Sequence, residues 1–193
     1  MRALLRSWRP AESVLLIPLP QLDSAVGDLR SRHDPSAAAG VPPHITLVYP
    51  FLPPGRLRAA ELRALQEVFA ERTPLTFDLV GVCGFPGVVY LAPDPAEPLV
   101  ELVKAVWARF PEAPPYGGVF PQIVPHLTVA ISAPDSDLDP VVAAAAAALP
   151  IRCVAEEAWL MVRRARWQLS ARFRLGIAPG KARVAALAGA EWT

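Results

Sequence analysis

The sequence is poor in the residues on which several kinds of chemistry depend. Of its 193 residues only two are cysteines and three are histidines. Cys83 and Cys153 stand far apart in apolar surroundings, and no C-x-x-C or similar spacing occurs, so a cysteine-built metal site is excluded. Two buried free thiols in a reducing compartment are expected. Charge of one sign is also lacking: 19 Lys and Arg face 18 Asp and Glu, for a net charge of +1. That argues against a broad basic surface for duplex nucleic acid and leaves room for a small phosphate-binding site. No apolar run reaches the ~18 residues of a membrane span. The alanine run "VVAAAAAALP" is a short helix of high propensity. The N-terminal "MRALLRSWRPAESVLLIPLP" does not read as a signal peptide, because Arg6, Arg9 and Glu12 interrupt it and proline breaks its short apolar part. A soluble, cytoplasmic protein is expected. There is no G-x-S-x-G elbow, no P-loop and no dinucleotide fingerprint.

What the sequence does hold is apolar residues, 53% of the chain, and 23 prolines that cluster at element boundaries rather than in one linker. This composition and length suffice for a real core. "SVLLIPL" reads as a strand and "QLDSAVGDLRSRHD" as a helix carrying Leu22, Val26 and Leu29 at helical spacing. "HITLVYPF" is the next strand. "GRLRAAELRALQEVFAER" is an amphipathic helix with Leu57, Leu62, Leu65 and Phe69 on one stripe. "LTFDLVGVCGFP" and "GVVYLAPD" form a hairpin across a glycine-proline turn. "AEPLVELVKAVWARF" is a helix with Leu99, Leu102, Val103, Val106 and Phe110 inward, "HLTVAIS" a strand, and "DSDLDPVVAAAAAAL" a helix that Asp135 or Asp137 would cap. At the end, Trp167, Leu169, Ala171, Phe173 and Leu175 alternate with Gln168, Ser170, Arg172 and Arg174, which predicts one half-buried strand with two faces. Hairpins within this order disfavour a purely parallel sheet, so the fold class is α+β with mainly antiparallel strands. From Gly176 onward no pattern is visible.

One phrase occurs twice. "VPPHITLVYP" (41–50) and "IVPHLTVAIS" (123–132) share Pro-His-aliphatic-Thr-aliphatic and use two of the three histidines. On a strand His44 and Thr46 point to one face, as do His126 and Thr128, while Ile45, Leu47, Leu127 and Val129 bury the other. Each preceding proline keeps the entry extended. His33, in the polar "SRHDP", is expected to be solvated or to cap a helix end. Two imidazoles suit acid-base work near neutrality: the neutral ring accepts a proton and the charged ring gives one. Cleaving a phosphodiester needs both roles, each typically worth about 10²–10⁴ in rate. The threonine hydroxyls would hold the non-bridging oxygens. A metal site is disfavoured, since two histidines are too few ligands and no Asp or Glu lies near either motif in sequence.

The paired motifs "HITL" (44–47) and "HLTV" (126–129), with "YPF" at 49–51 after the first, resemble the two-histidine (2H) phosphoesterase superfamily. That group includes bacterial 2′-5′ RNA ligase-like proteins and RNA 2′,3′-cyclic phosphodiesterases. The resemblance covers residues 12–175 and implies a bilobal α+β fold, mainly antiparallel, with pseudo-twofold symmetry around a central cleft. Residues 1–11 would be an N-terminal arm, 12–175 one bilobal domain and 176–193 a tail. It implies metal-independent opening of a 2′,3′-cyclic phosphate at an RNA end or on a small nucleotide. No cofactor, no metal, no membrane and no protein partner are implied, and a monomer is expected. His44 and His126 would be the acid-base pair, and Thr46 and Thr128 the phosphate binders. In relatives that leave a 2′-phosphate the second histidine is the base and the first the acid. The segment "AISAPD" after the second motif is less typical and leaves the substrate subgroup open. A reversible 2′-5′ RNA ligase, and a module that binds a nucleotide or RNA end without turnover, are the alternatives. Further substrate contacts are expected among Tyr49, Phe51, Tyr116 and Phe120, which could stack on a base, and Arg172 and Arg174, which could reach a phosphate. The loop "PEAPPYGGVFPQ" is placed to be a cleft rim or lid.

Overall fold

The computed structural model describes residues 12–132 and 138–176. Two four-stranded sheets form the molecule, each antiparallel throughout. The strands are β1 (Ser13–Pro18), β2 (His44–Val48), β3 (Leu75–Phe85), β4 (Val88–Asp94), β5 (Leu127–Ile131), β6 (Ile151–Ala155), β7 (Glu157–Arg163) and β8 (Trp167–Arg174). The helices are α1 (Asp23–His33), α2 (Pro35–Ala38), α3 (Ala59–Ala70), α4 (Glu97–Arg109) and α5 (Asp139–Ala147). The first sheet runs β2-β1-β7-β8 and the second β5-β4-β3-β6.

The two orders are related by a pseudo-twofold exchange. In each sheet a motif strand lies at one edge beside an inner strand, and a helix links the two: β1–α1–β2 and β4–α4–β5. These helices cross over. α1 packs on β5 of the second sheet and α4 on β2 of the first, while β2 and β5 also touch. One apolar cluster therefore runs through both sheets, from Leu15 and Ile17 of β1 to Leu127 and Val129 of β5. The sequence dictates which helix faces meet it. Leu65 and Phe69 of α3 are fully buried, and Phe69 stacks on Phe173 at 5.4 Å. Leu99, Leu102, Val103 and Val106 line the inner stripe of α4, and Phe110 just past its end meets Phe51 edge-on at 5.2 Å. Losing either aromatic pair by truncation to alanine would cost about 3–5 kcal/mol. The β3–β4 hairpin closes through Pro86 and Gly87, whose φ of 75° supplies the left-handed residue that a type II turn requires.

The structure corrects four expectations. The helix foreseen from residue 55 begins at Ala59; Leu57 stands before it, still packed on the core. Cys153 is buried but Cys83 is exposed, because β3 runs on beyond the core into its hairpin. The alternation in β8 does not put five apolar residues on one face. The register pairs Leu160 with Ala171 but Met161 with Leu169, so Ser170 is an extra residue in a bulge. Trp167 joins a second apolar cluster with Val14, Leu16, Val41 and Met161, while Ala171, Phe173 and Leu175 face the main core. Phe51, offered as a substrate contact, is 6% exposed in that core. The arm 1–11, the caps Asp135 and Asp137, and the tail beyond Gly176 lie outside the described residues. No described helix is long and apolar enough to cross a membrane.

Candidate active site

The two H-x-T motifs are built alike down to the backbone. His44 pairs with Pro18 and Thr46 with Leu16 across β1, and Thr128 pairs with Tyr90 across β4. In both strands the residue after the threonine is skipped by the register: Leu47 lies between Thr46 and Val48, and Val129 between Thr128 and Ala130. A bulge at the fourth motif position thus occurs twice. It places two successive aliphatic residues on the core side and turns the His-Thr face outward. Leu47, Val48, Val129 and Ala130 are all buried, whereas His44, Thr46, His126 and Thr128 are half-buried.

Each histidine is oriented by the same contact. His44 Nδ1 lies 2.8 Å from the Pro42 carbonyl oxygen and His126 Nδ1 2.7 Å from that of Val124. A carbonyl only accepts, so Nδ1 carries the proton and donates it, and Nε2 is the nitrogen left for chemistry. The proline between carbonyl and histidine, Pro43 or Pro125, holds the preceding residue extended and so sets the carbonyl in place. This is the physical content of the repeated Pro-His.

The surroundings of the two rings differ. Burial, and next the Arg30 guanidinium, push His44 down to about 4; the charge of His126 works in the same direction, and the Pro42 carbonyl and Asp34 oppose it. Arg30 is only 2% exposed. It holds Asp34 at 2.8 and 3.1 Å, Ser36 at 3.1 Å and the Val41 carbonyl at 3.3 Å, and so ties the loop that leads into Pro42-Pro43-His44 back to α1. His126 stands among aromatic rings instead: Tyr90 at 5.1 Å, Phe85 at 5.4 Å and Tyr116 at 6.4 Å. Burial lowers its pKa as well.

Tyr116 joins the halves. It lies in the short turn Pro115–Gly118 of the proline-glycine loop, at a φ of 50° that is rare for a residue with a side chain. Its ring stacks on His126 of the second motif and its hydroxyl meets Thr46 of the first. Burial raises this phenol to about 12, with Thr46 pulling the other way, so it is protonated in any working buffer. Phe120 packs edge-on against Tyr116 and is half exposed.

The remaining sequence candidates divide. The Tyr49 hydroxyl donates to Glu12 at 2.8 Å and its ring meets Trp167 edge-on at 6.2 Å. Arg172 and Arg174 share one face of β8 as foreseen, opposite Trp159 and Glu157. The register links Arg172 to the first motif in one row across the sheet, Thr46–Leu16–Trp159–Arg172. Tyr90, Phe85, Trp159 and Arg30 were not singled out from the sequence. Only their pairing partners reveal them, and partners are a tertiary property. Among the described residues no three His, Cys, Asp or Glu side chains come together as a metal-binding group.

Comparison with known proteins agrees with this architecture. Residues 18–167 match the sequence profile of the 2′-5′ RNA ligase superfamily. A Bacillus licheniformis protein, provisionally named a phosphoesterase, is 29% identical over 127 residues, covering 64% of this chain and 72% of the relative. A Bacillus pumilus protein with the same provisional name is also 29% identical over 127 residues, 64% of this chain and 71% of its own. Among solved structures, Escherichia coli LigT complexed with 3′-AMP superposes with a TM-score of 0.56 at 20% identity, covering 86% of this chain and 99% of LigT. The Thermus thermophilus protein TT0787 gives 0.62 at 19% identity over 86% and 98%. Two antiparallel sheets with a few helices are thus the fold of a known group, and the chain belongs to the 2′-5′ RNA ligase superfamily.

Proposed function

We propose that the chain is a phosphodiesterase that opens a 2′,3′-cyclic phosphate, on an RNA end or a small nucleotide, by acid-base catalysis between His44 and His126. The observation that carries this reading is the matched pair of Nδ1–carbonyl contacts, which leaves Nε2 of each ring for proton transfer. The broader phosphoesterase level accords with the provisional names of the Bacillus relatives. A nucleotide substrate accords with LigT structures complexed with 3′-AMP and with NADP+.

In the proposed reaction one neutral imidazole takes a proton from water as the oxygen attacks phosphorus. The P–O bond to the ribose then breaks, and the other imidazole, charged, gives its proton to the departing oxygen. Thr46 and Thr128 donate to the non-bridging oxygens, where negative charge grows. The Tyr116 hydroxyl, protonated and beside Thr46, is a third donor at the same place. The surroundings favour His44 as base: burial and then the Arg30 charge hold it neutral down to about pH 4. His126, with no cation among the causes of its shift, is the better acid. This reverses the order that the family resemblance implies. The donor set suits chemistry without a metal, since among the described residues no three His, Cys, Asp or Glu side chains group around either ring.

The test is hydrolysis of 2′,3′-cyclic nucleotides and of RNA ending in a cyclic phosphate, in excess chelator, by wild type, His44→Ala and His126→Ala. Activity should survive chelation and fall at least about 10²-fold in each variant. Full activity in both variants would sink the reading, and loss on chelation would move it to metal chemistry. The profile of kcat/KM against pH should be a bell. The base demands a pH above about 4 and the acid a pH below its own pKa, which is under 6.5. A monotonic rise from pH 5 to 9 is incompatible with it.

A further inference from the structure

A cavity of about 690 Å³ opens beside the first motif rather than between the two. Its walls include Pro42 and Pro43, which lead into His44, Asp23, Asp28 and Arg30 of α1, and the Trp159 indole. Trp159 lies in the row Thr46–Leu16–Trp159–Arg172, on the face that carries Thr46. With strands about 4.8 Å apart, Trp159 stands about 10 Å from Thr46 along that row. The indole is held rigidly for a surface residue. The Arg172 guanidinium lies 4.8 Å from its ring centroid, its Nε1 donates to Glu157 at 2.6 Å, and Glu157 faces Arg172 at 3.6 Å. The acid-base chemistry uses none of Trp159, Arg172 and Glu157.

The cavity's charges select among ligands. Arg30 is its cationic wall, but that guanidinium is already spent on Asp34, Ser36 and the Val41 carbonyl. The carboxylates of Asp23 and Asp28 repel a phosphate and accept N–H donors. A flat, apolar ring with N–H groups on its edge fits these walls, and the volume is that of a small-molecule site.

We propose that this cavity is a nucleobase subsite, in which the base of the substrate lies against Trp159 while its ribose and phosphate run past Pro42 and Pro43 toward His44. The inference rests on the proposed function for the identity of that substrate. The carboxylates add a preference for bases with an exocyclic amine, guanine above all, over uracil.

Two measurements test it on the full chain: the kinetics of 2′,3′-cyclic mononucleotides, and calorimetric binding of nucleoside 3′-monophosphates and of inorganic phosphate. Stacking of one base on an aromatic ring is worth about 5- to 150-fold in affinity. Trp159→Ala should raise KM and weaken 3′-nucleotide binding by a factor in that range, with kcat changed by less than about three-fold. Phosphate binding should be unchanged, which also reports that the variant is folded. Trp159→Phe should keep most of the affinity. Unchanged nucleotide binding in Trp159→Ala, or no nucleotide binding by wild type, would overturn the subsite. Equal affinity for uridine and guanosine nucleotides would overturn the part given to Asp23 and Asp28. If wild type binds nucleotides through Trp159 yet turns over no cyclic phosphate, the subsite stands and the proposed activity falls. If it turns them over with a KM indifferent to Trp159, the reverse holds.

Discussion

Around His44 the neighbours are charged and built into the chain behind it; around His126 they are aromatic rings gathered from a hairpin and a loop. Arg30 and Asp34 form a buried ion pair beneath the first motif, whereas Phe85, Tyr90 and Tyr116 box the second. The backbone device is nonetheless the same: an edge strand, a bulge after the threonine, and an Nδ1 contact to the carbonyl two residues back. The comparison separates two tasks. Aiming a pair of imidazoles is done by the repeated motif, and it is symmetric. Setting their proton affinities is done by what packs around them, and it is not.

The largest effect expected from breaking this comparison is on catalysis. His44→Ala and His126→Ala should each cost about 10²–10⁴ in kcat, and the double variant little more than either, since the two act as one unit. Additive losses in steady-state kinetics would mean that the rings work independently. The next effect is on stability and falls on the first half alone. Arg30→Met leaves the Asp34 carboxylate buried without its partner and should cost about 3–5 kcal/mol, read from the denaturant midpoint. On the other half, Tyr90→Phe, which removes a hydroxyl and keeps the ring on His126, should cost about 1 kcal/mol or less. Equal costs would remove the distinction between charged and aromatic surroundings.

Titration sharpens it further. Both histidines bind protons less readily folded than unfolded, so their contribution to stability is complete above the unfolded value of 6.5 and is lost as pH falls toward the folded values. The protein should therefore be less stable at pH 5 than at pH 7, and His44→Gln should show a smaller drop. By NMR the His44 ring should remain neutral to about pH 4, and His126 should titrate below its unfolded value of 6.5. A His126 ring that stays neutral to lower pH than His44 would return the base role to His126. The smallest effect is expected from Tyr116→Phe. It keeps the ring over His126 and removes the hydroxyl at Thr46, so kcat should fall a few-fold, roughly the worth of one neutral hydrogen bond. A loss as large as that of Thr46→Ala would promote Tyr116 to an essential phosphate donor.

Much of this could be read along the chain. Period-two and period-3.6 patterns located the strands and helices, and the repeated Pro-His-x-Thr marked both halves of the candidate site, because each motif carries its own scaffold within five residues. What could not be read was any displacement of register. The extra residue at Ser170 sends Trp167 and Leu169 to the face opposite Ala171 and Phe173, although strict alternation would keep them together. Phe51 follows the motif like a site residue, yet Phe110, from a helix of the other half, claims it for the core. Trp159 and Arg172 gain meaning only from the row they share with Thr46.

By itself the sequence determined the two outward-facing His-Thr pairs, since a proline before and aliphatic residues between leave such a strand one way to lie on a core. Only the tertiary structure decided that the two motif strands meet. The crossing of α1 onto β5 and α4 onto β2 brings the two edge strands together, and that contact joins residues far apart in the chain. It decided as well what lowers each pKa, burial and a guanidinium at His44 and burial at His126, because desolvation and the field of a buried charge depend on distances in space, which no pattern along the chain records.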